Sequence, residues 1–103
     1  MRGVRDLPTL DLSGNSHVAD LYPLAGQKLL YKLDLNGCSK VADIAPLSTM
    51  TQLQWADLYG CSALEDISPL YNSQGLRWLD LGGCANLNDL SPLGGLQGLQ
   101  ALA

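Results

Sequence analysis

The sequence predicts an α/β solenoid, a right-handed coil whose short strands form one parallel sheet on a concave face, with 3₁₀ or irregular return segments. The first observation is a repeated frame: LDLNGCSKVADIAPL at residues 33–47 returns at 56–70 and 79–93, with a looser copy at 10–24. The second is an apolar–polar–apolar triplet opening each copy, typical of a half-buried strand. The third is a glycine after each triplet, where a tight turn excludes a Cβ atom.

The spacing of the copies identifies the type of solenoid. Successive copies are 23 residues apart and carry leucines in the pattern L-x-x-L-x-L-x-x-(N/C), the signature of a leucine-rich repeat. We treat the 103-residue chain as a single domain with a partial fifth unit at Leu99 and Leu102 and no clear caps. Residues 1–6, with Val4 inward, are expected to cover part of the first coil. The four full units are 10–32, 33–55, 56–78 and 79–101.

Each unit predicts its own local structure. Cys38 follows the glycine turn at the inward position where these repeats usually carry asparagine, and its thiol is a weak donor that tolerates burial. Val41, Ile44 and Leu47 then step by three, which suits a short 3₁₀ return segment. We expect Asp43 and its equivalents to accept backbone N–H groups there, and the hydroxyl of each Ser-Pro step, such as Ser68–Pro69, to cap the segment.

Composition limits the classes of partner and compartment. The net charge of −4 argues against a nucleic-acid ligand. No run approaches the roughly 18 apolar residues of a membrane span, and the N-terminus lacks the apolar segment of a secretory signal. An odd number of cysteines at a repeated structural position indicates reduced thiols. We therefore expect an intracellular, reducing compartment, with the cytoplasm favoured and an organellar lumen or stroma left open.

The outward strand positions form columns that carry the candidate binding residues. Trp55 and Trp78 fall on adjacent predicted strands with Tyr59 beside them, and Lys32 precedes them in the same column. Tryptophan and tyrosine are the usual anchors of protein interfaces. The alternative is that the tryptophans pack on each other and only cover the sheet. We favour binding, because a large exposed aromatic surface without a partner is a liability.

A second column consists of aspartates. Neighbouring carboxylates at strand spacing repel by roughly 1 kcal/mol even in water. The column either attracts a basic peptide segment or belongs to the repeat's template, with each side chain bonded locally; the second reading is favoured. The predicted partner-binding residues are Trp55, Trp78, Tyr59, Lys32, Asp34, Asp57 and Asp80, and the aspartate column begins at Asp11.

Nothing in the sequence predicts a metal, another cofactor or catalysis. A column of single carboxylates does not supply the six to eight converging oxygens that Ca²⁺ requires. The cysteines lack the C-x-x-C element typical of zinc sites, so we interpret them as buried structural thiols. His17, the single histidine, has no nucleophile or carboxylate arranged around it in the sequence.

Two motifs carry a family resemblance. The element D-(I/L)-S-P-L resembles that of bacterial internalin repeats. With L-D-L-x-G-C before it and a period of 23, the sequence more closely resembles the leucine-rich repeats of trypanosomatid proteins, including those called adenylate cyclase regulatory proteins. The resemblance covers residues 7–102 and implies a protein-interaction module without catalytic residues. The alternative function is a small structural subunit packed into a larger assembly, end to end, through open solenoid ends.

Overall fold

The computed structural model describes residues 9–96, 98, 99, 101 and 102; the predicted cover by Val4 and residues 1–6 lies outside this range. Five short strands alternate with four 3₁₀ helices in the described chain. No helix among these residues has the length and apolar character to cross a bilayer. The strands are β1 (Thr9–Asp11), β2 (Lys32–Asp34), β3 (Trp55–Asp57), β4 (Trp78–Asp80) and β5 (Ala101–Leu102). The 3₁₀ helices are η1 (Tyr22–Leu24), η2 (Ala45–Thr49), η3 (Ser68–Asn72) and η4 (Ser91–Gly95).

The strands form one parallel sheet in chain order, β1-β2-β3-β4-β5. Each residue pairs with the residue one period later, so Leu33 is opposite Leu10 and Ala56 is opposite Leu33. The ladder continues past the strands, since the Gly37 N–H donates to the Tyr59 carbonyl at 2.8 Å. This register places equivalent side chains beside one another along the sheet.

The turn glycines are required by backbone conformation and by stacking. Gly14, Gly37, Gly60 and Gly83 all have φ between +72° and +81°, a region that side chains with a Cβ rarely adopt. They also lie against one another: a Cβ at Gly83 would be 3.3 Å from the Gly60 Cα. The coils are therefore closely packed at this column.

The core is a continuous column of leucine, isoleucine, valine, methionine and cysteine between the sheet and the return segments. The inward leucines Leu33, Leu58 and Leu79 are fully buried. Ala56 is also fully buried, although it stands where the other units have leucine. Because each coil covers the apolar side of the next, the interior residues of the central coils are the best shielded.

An aspartate lies two residues before each 3₁₀ helix. Asp43 Oδ1 accepts the Ala45 N–H at 2.8 Å, and the equivalent bonds recur in the other three units, as the sequence predicted. The predicted serine cap is wrong. Ser68 is the first residue of η3, and its own N–H donates to Asp66 Oδ1 at 2.8 Å. The carboxylate two residues upstream serves as the acceptor, and a charged acceptor makes the stronger hydrogen bond.

Candidate functional site

The solvent-facing side of the sheet, here called the concave face, carries a ladder of stacked side chains. Lys32, Trp55 and Trp78 are directly opposite one another on β2, β3 and β4. The two indole rings are parallel within 8°, with centroids 4.4 Å apart. Lys32 Nζ lies 4.5 Å from the Trp55 ring centroid, a cation–π contact. Parallel strands are about 4.8 Å apart, so in-register aromatic residues are held at nearly the stacking distance.

The tryptophans combine mutual packing with partial exposure. Their rings pack on each other, yet each tryptophan is only half-buried and keeps part of its surface in solvent. Stacking reduces the side-chain freedom that Trp55 and Trp78 would lose on binding a partner. The face is consequently rigid and partly apolar, and its use as a binding surface stays a prediction.

Tyr59 adds an exposed ring to the same face. Tyr59 lies in the turn after β3, is 50% exposed, and its ring reaches the next coil at Gly82. A Cβ atom at Gly82 would lie 2.8 Å from Tyr59 Cδ2, closer than packed atoms approach. Gly82 is not among the site residues predicted from the sequence. The sequence feature that could have identified Gly82 is its column, in which the largest side chain is followed by the smallest: Ser13, Asn36, Tyr59 and Gly82.

The aspartate column is held by local hydrogen bonds. In each unit the aspartate Oδ1 accepts the backbone N–H two residues on: Asp11 from Ser13, Asp34 from Asn36, Asp57 from Tyr59, and Asp80 from Gly82, at 2.8–3.0 Å. These bonds shape the turn after each strand. They are the local bonds expected of a repeat template, and they fix the carboxylates on the concave face.

The four aspartates differ in their exposure. Asp57 is only 8% exposed, and its second oxygen accepts Asn36 Nδ2 at 3.2 Å. Asp34 and Asp80 are half-buried, and Asp11 is exposed. Hydrogen bonds from the Ser13 side chain and backbone lower the pKa of Asp11, and the nearby Lys32 charge acts in the same direction. A partner on this face therefore meets Asp80 and Asp34 more readily than Asp57.

The three cysteines lie inside the solenoid. Each thiol donates to a carbonyl of the preceding coil: Cys38 to Leu12 at 3.2 Å, Cys61 to Leu35 at 3.4 Å, and Cys84 to Leu58 at 3.1 Å. Burial raises the pKa of each thiol, that of Cys61 to about 12. Within the described residues no three histidine, cysteine, aspartate or glutamate side chains are grouped to share a metal ion.

The stacked parallel strands, the glycine column and the 3₁₀ return segments define a leucine-rich repeat protein, and the predicted solenoid class is confirmed. The crystal structure of an internalin, inlF, from Listeria monocytogenes is similar over 91% of this chain, with 28% identity and a TM-score of 0.76. That of an internalin C2, inlC2, from the same organism is similar over 82%, with 28% identity and a TM-score of 0.71.

This chain spans 26% and 36% of the length of those two internalin chains. No protein-family model and no curated protein matches the sequence. The resemblance to internalin repeats is thus supported at the level of the repeat fold, whereas the closer resemblance to trypanosomatid repeats stays a prediction.

Proposed function

We propose that this chain is a non-catalytic protein-interaction module that binds an extended segment of a partner protein across its concave face. The observation that carries the proposal is the Lys32–Trp55–Trp78 ladder, a rigid, partly exposed aromatic surface at the centre of the sheet. Tyr59 borders it, and Asp34 and Asp80 flank it with negative charge. The partner is expected to carry apolar and basic side chains.

Two physical arguments support this face over the others. Tryptophan and tyrosine bury a large area while losing few rotatable bonds, and here stacking fixes them before any partner arrives. The carboxylates are also held in place by the turn N–H groups, so charge complementarity costs little reorganisation. The face is therefore pre-organised for a partner of opposite charge.

The proposal can be tested by selecting binders from a displayed library of random peptides on the immobilised chain. Selected peptides are then measured against Trp55→Ala, Trp78→Ala and the matched control Tyr71→Ala. Tyr71 lies on η3, away from the sheet, and is 60% exposed. We expect loss of an interface anchor to weaken binding about tenfold or more, with no change for Tyr71→Ala. Binders that ignore both tryptophan variants, while all the variants stay folded, would refute the concave site.

One observation favours packing into a larger assembly as a second candidate function. Leu90 is 50% exposed, whereas its equivalents Ile67, Ile44 and Leu21 are at most 1% exposed. A further coil or another subunit packed against the Leu90 side chain would cover this residue. Light scattering on the purified chain at two concentrations, compared with Leu90→Asn, tests this: a mass that rises with concentration only in the parent chain supports packing. Equal, constant masses contradict self-association.

The compartment is also a proposal. The three buried thiols are free and bonded to backbone carbonyls, an arrangement that supports a reducing compartment such as the cytoplasm. Mass spectrometry of the chain from its native source, after alkylation without reduction, checks this: three alkylated cysteines are expected, and a disulfide contradicts it.

A further inference from the structure

We propose that the face of Trp78 turned away from Trp55 stacks an arginine side chain of the partner, which extends the ladder by one step and pairs with Asp80. The inference rests on the proposed function of the concave face and names the chemistry of the group bound there. Three features support the inference: the difference between the two ends of the ladder, the charge around Trp78, and the planar shape of the guanidinium group.

The two tryptophans differ in how much of each ring the chain itself covers. Trp55 has Lys32 Nζ 4.5 Å from its centroid on the β2 side and the Trp78 ring 4.4 Å away on the β4 side. Among the described residues, Trp78 has a ring contact with Trp55 alone. On its other side the backbone partner of Trp78 is residue 101 of β5, which the sequence gives as alanine. A flat group can therefore lie over Trp78 at about one strand spacing, roughly 4.8 Å.

The charges around this position favour a cation. Asp80 lies two residues beyond Trp78 on the same strand, so both side chains belong to the same face of the sheet. Its Oδ1 accepts the Gly82 N–H, and in the described part of the chain Oδ2 has no donor. Asp80 is half-buried, which limits the screening of its charge by water. A cation over Trp78 thus gains both a ring face and a carboxylate.

The ladder itself contains a cation of this kind. Lys32 occupies the position before Trp55 and contacts its ring, while the sequence gives alanine, not a cationic residue, at the position after Trp78. Arginine suits this position better than lysine, because its planar guanidinium stacks flat on an indole and donates in a fork to a carboxylate. A partner phenylalanine also stacks, but it leaves the Asp80 charge uncompensated.

The test is an NMR titration of the ¹⁵N-labelled chain with the peptide acetyl-Gly-Ser-Arg-Ser-Gly-amide and its lysine, citrulline and phenylalanine versions. The indole N–H signals of Trp78 and Trp55 are followed. We expect the arginine peptide to shift Trp78 more than Trp55, and citrulline, which is planar but neutral, to bind about threefold more weakly. Equal affinities for arginine and citrulline, or no shift of Trp78 at the highest soluble concentration, overturn the inference.

Two variants test the stacking model at the two ends of the ladder. Ala101→Trp places an indole at the strand position paired with Trp78 and should abolish the arginine-induced shift, whereas the control Ala101→Ser should preserve it. Lys32→Ala uncovers the other end of the ladder and should create a second arginine site, seen as a new shift of Trp55. A Trp78 shift that persists in folded Ala101→Trp, or no gain at Trp55 in Lys32→Ala, contradicts the stacking model.

The displayed-peptide selection separates this inference from the function on which it rests. Selected binders that depend on Trp78 but show no enrichment of arginine refute the arginine assignment and leave the concave site standing. Binders that depend on neither Trp55 nor Trp78 refute the proposed function itself.

Discussion

Substitution of the turn glycines tests how closely the coils are stacked. Gly14 and Gly83 have almost the same backbone conformation, with φ of +76° and +72°. Their surroundings differ. A Cβ added at Gly83 would lie 3.3 Å from the Gly60 Cα and N, whereas a Cβ at Gly14 would meet no atom of the described residues within 4 Å. Gly14→Ala therefore measures backbone strain alone, and Gly83→Ala measures the same strain plus the contact between coils.

The expected magnitudes follow from these two effects. An alanine held at positive φ costs about 1–2 kcal/mol of the free energy of unfolding, which is the expectation for Gly14→Ala. At Gly83 the new methyl meets backbone atoms, which cannot rotate away as a side chain can. Overpacking of this kind adds about 1–3 kcal/mol. Gly83→Ala should thus lose more stability than Gly14→Ala by about 1 kcal/mol or more.

Urea unfolding followed by tryptophan fluorescence measures this difference, since Trp55 and Trp78 lie in the stack itself. With a denaturant slope of about 2 kcal/mol per molar urea, the extra loss lowers the midpoint by about 0.5 M or more. Gly60→Ala, whose added Cβ would be 3.5 Å from Gly37, should fall between the two. Equal midpoints for Gly14→Ala and Gly83→Ala, with unchanged slopes, would refute close stacking at this column.

Three further predictions concern buried groups and the concave face. Burial raises the pKa of Cys61 from 9.0 to about 12, so a thiol reagent at about pH 8 should label it only after unfolding. Because this pKa is higher in the folded chain, the unfolded chain loses the Cys61 proton first as pH rises, and the free energy of unfolding should fall between about pH 9 and pH 12. A urea midpoint that is unchanged over that range contradicts the raised pKa. Asp57→Ala removes an acceptor for two hydrogen bonds at a buried position and should cost about 2 kcal/mol in urea unfolding. The same change at Asp11, whose hydrogen bonds with Ser13 are exposed to water, should cost clearly less, and equal losses contradict the difference in burial. Gly82→Ala should displace the Tyr59 ring, seen as changed Tyr59 ring signals in NMR spectra, and unchanged signals would show that the ring does not lie over Gly82.

Much of the candidate site was predictable because the repeat has a constant length. With every unit 23 residues long, strand register follows from sequence spacing alone, and the columns of Lys32, Trp55 and Trp78 and of the aspartates follow from the register. Alternation along a strand then assigns each column to the core or to solvent. The burial of the cysteines followed in the same way, from their position after the turn.

Other features depend on distances between coils, which spacing does not supply. The sequence did not show that the Tyr59 ring crosses to Gly82, nor that the Asn36 amide reaches Asp57, the least exposed of the four aspartates in the column. The cap was assigned to the wrong side chain for a similar reason. Serine and aspartate are both good hydrogen-bond acceptors at the start of a helix. Only the backbone geometry before η3 determines that Asp66, and not Ser68, accepts the hydrogen bond there.

The sequence by itself thus determined the solenoid class, the strand register and the residues that share each column, because a constant period leaves one way to stack identical coils. The tertiary structure decided how far each member of a column is exposed. The burial of Asp57 and the exposure of the Tyr59 ring depend on what the adjacent coils place beside them, Asn36 at Asp57 and Gly82 at Tyr59. Those neighbours differ from unit to unit even where the repeated frame does not.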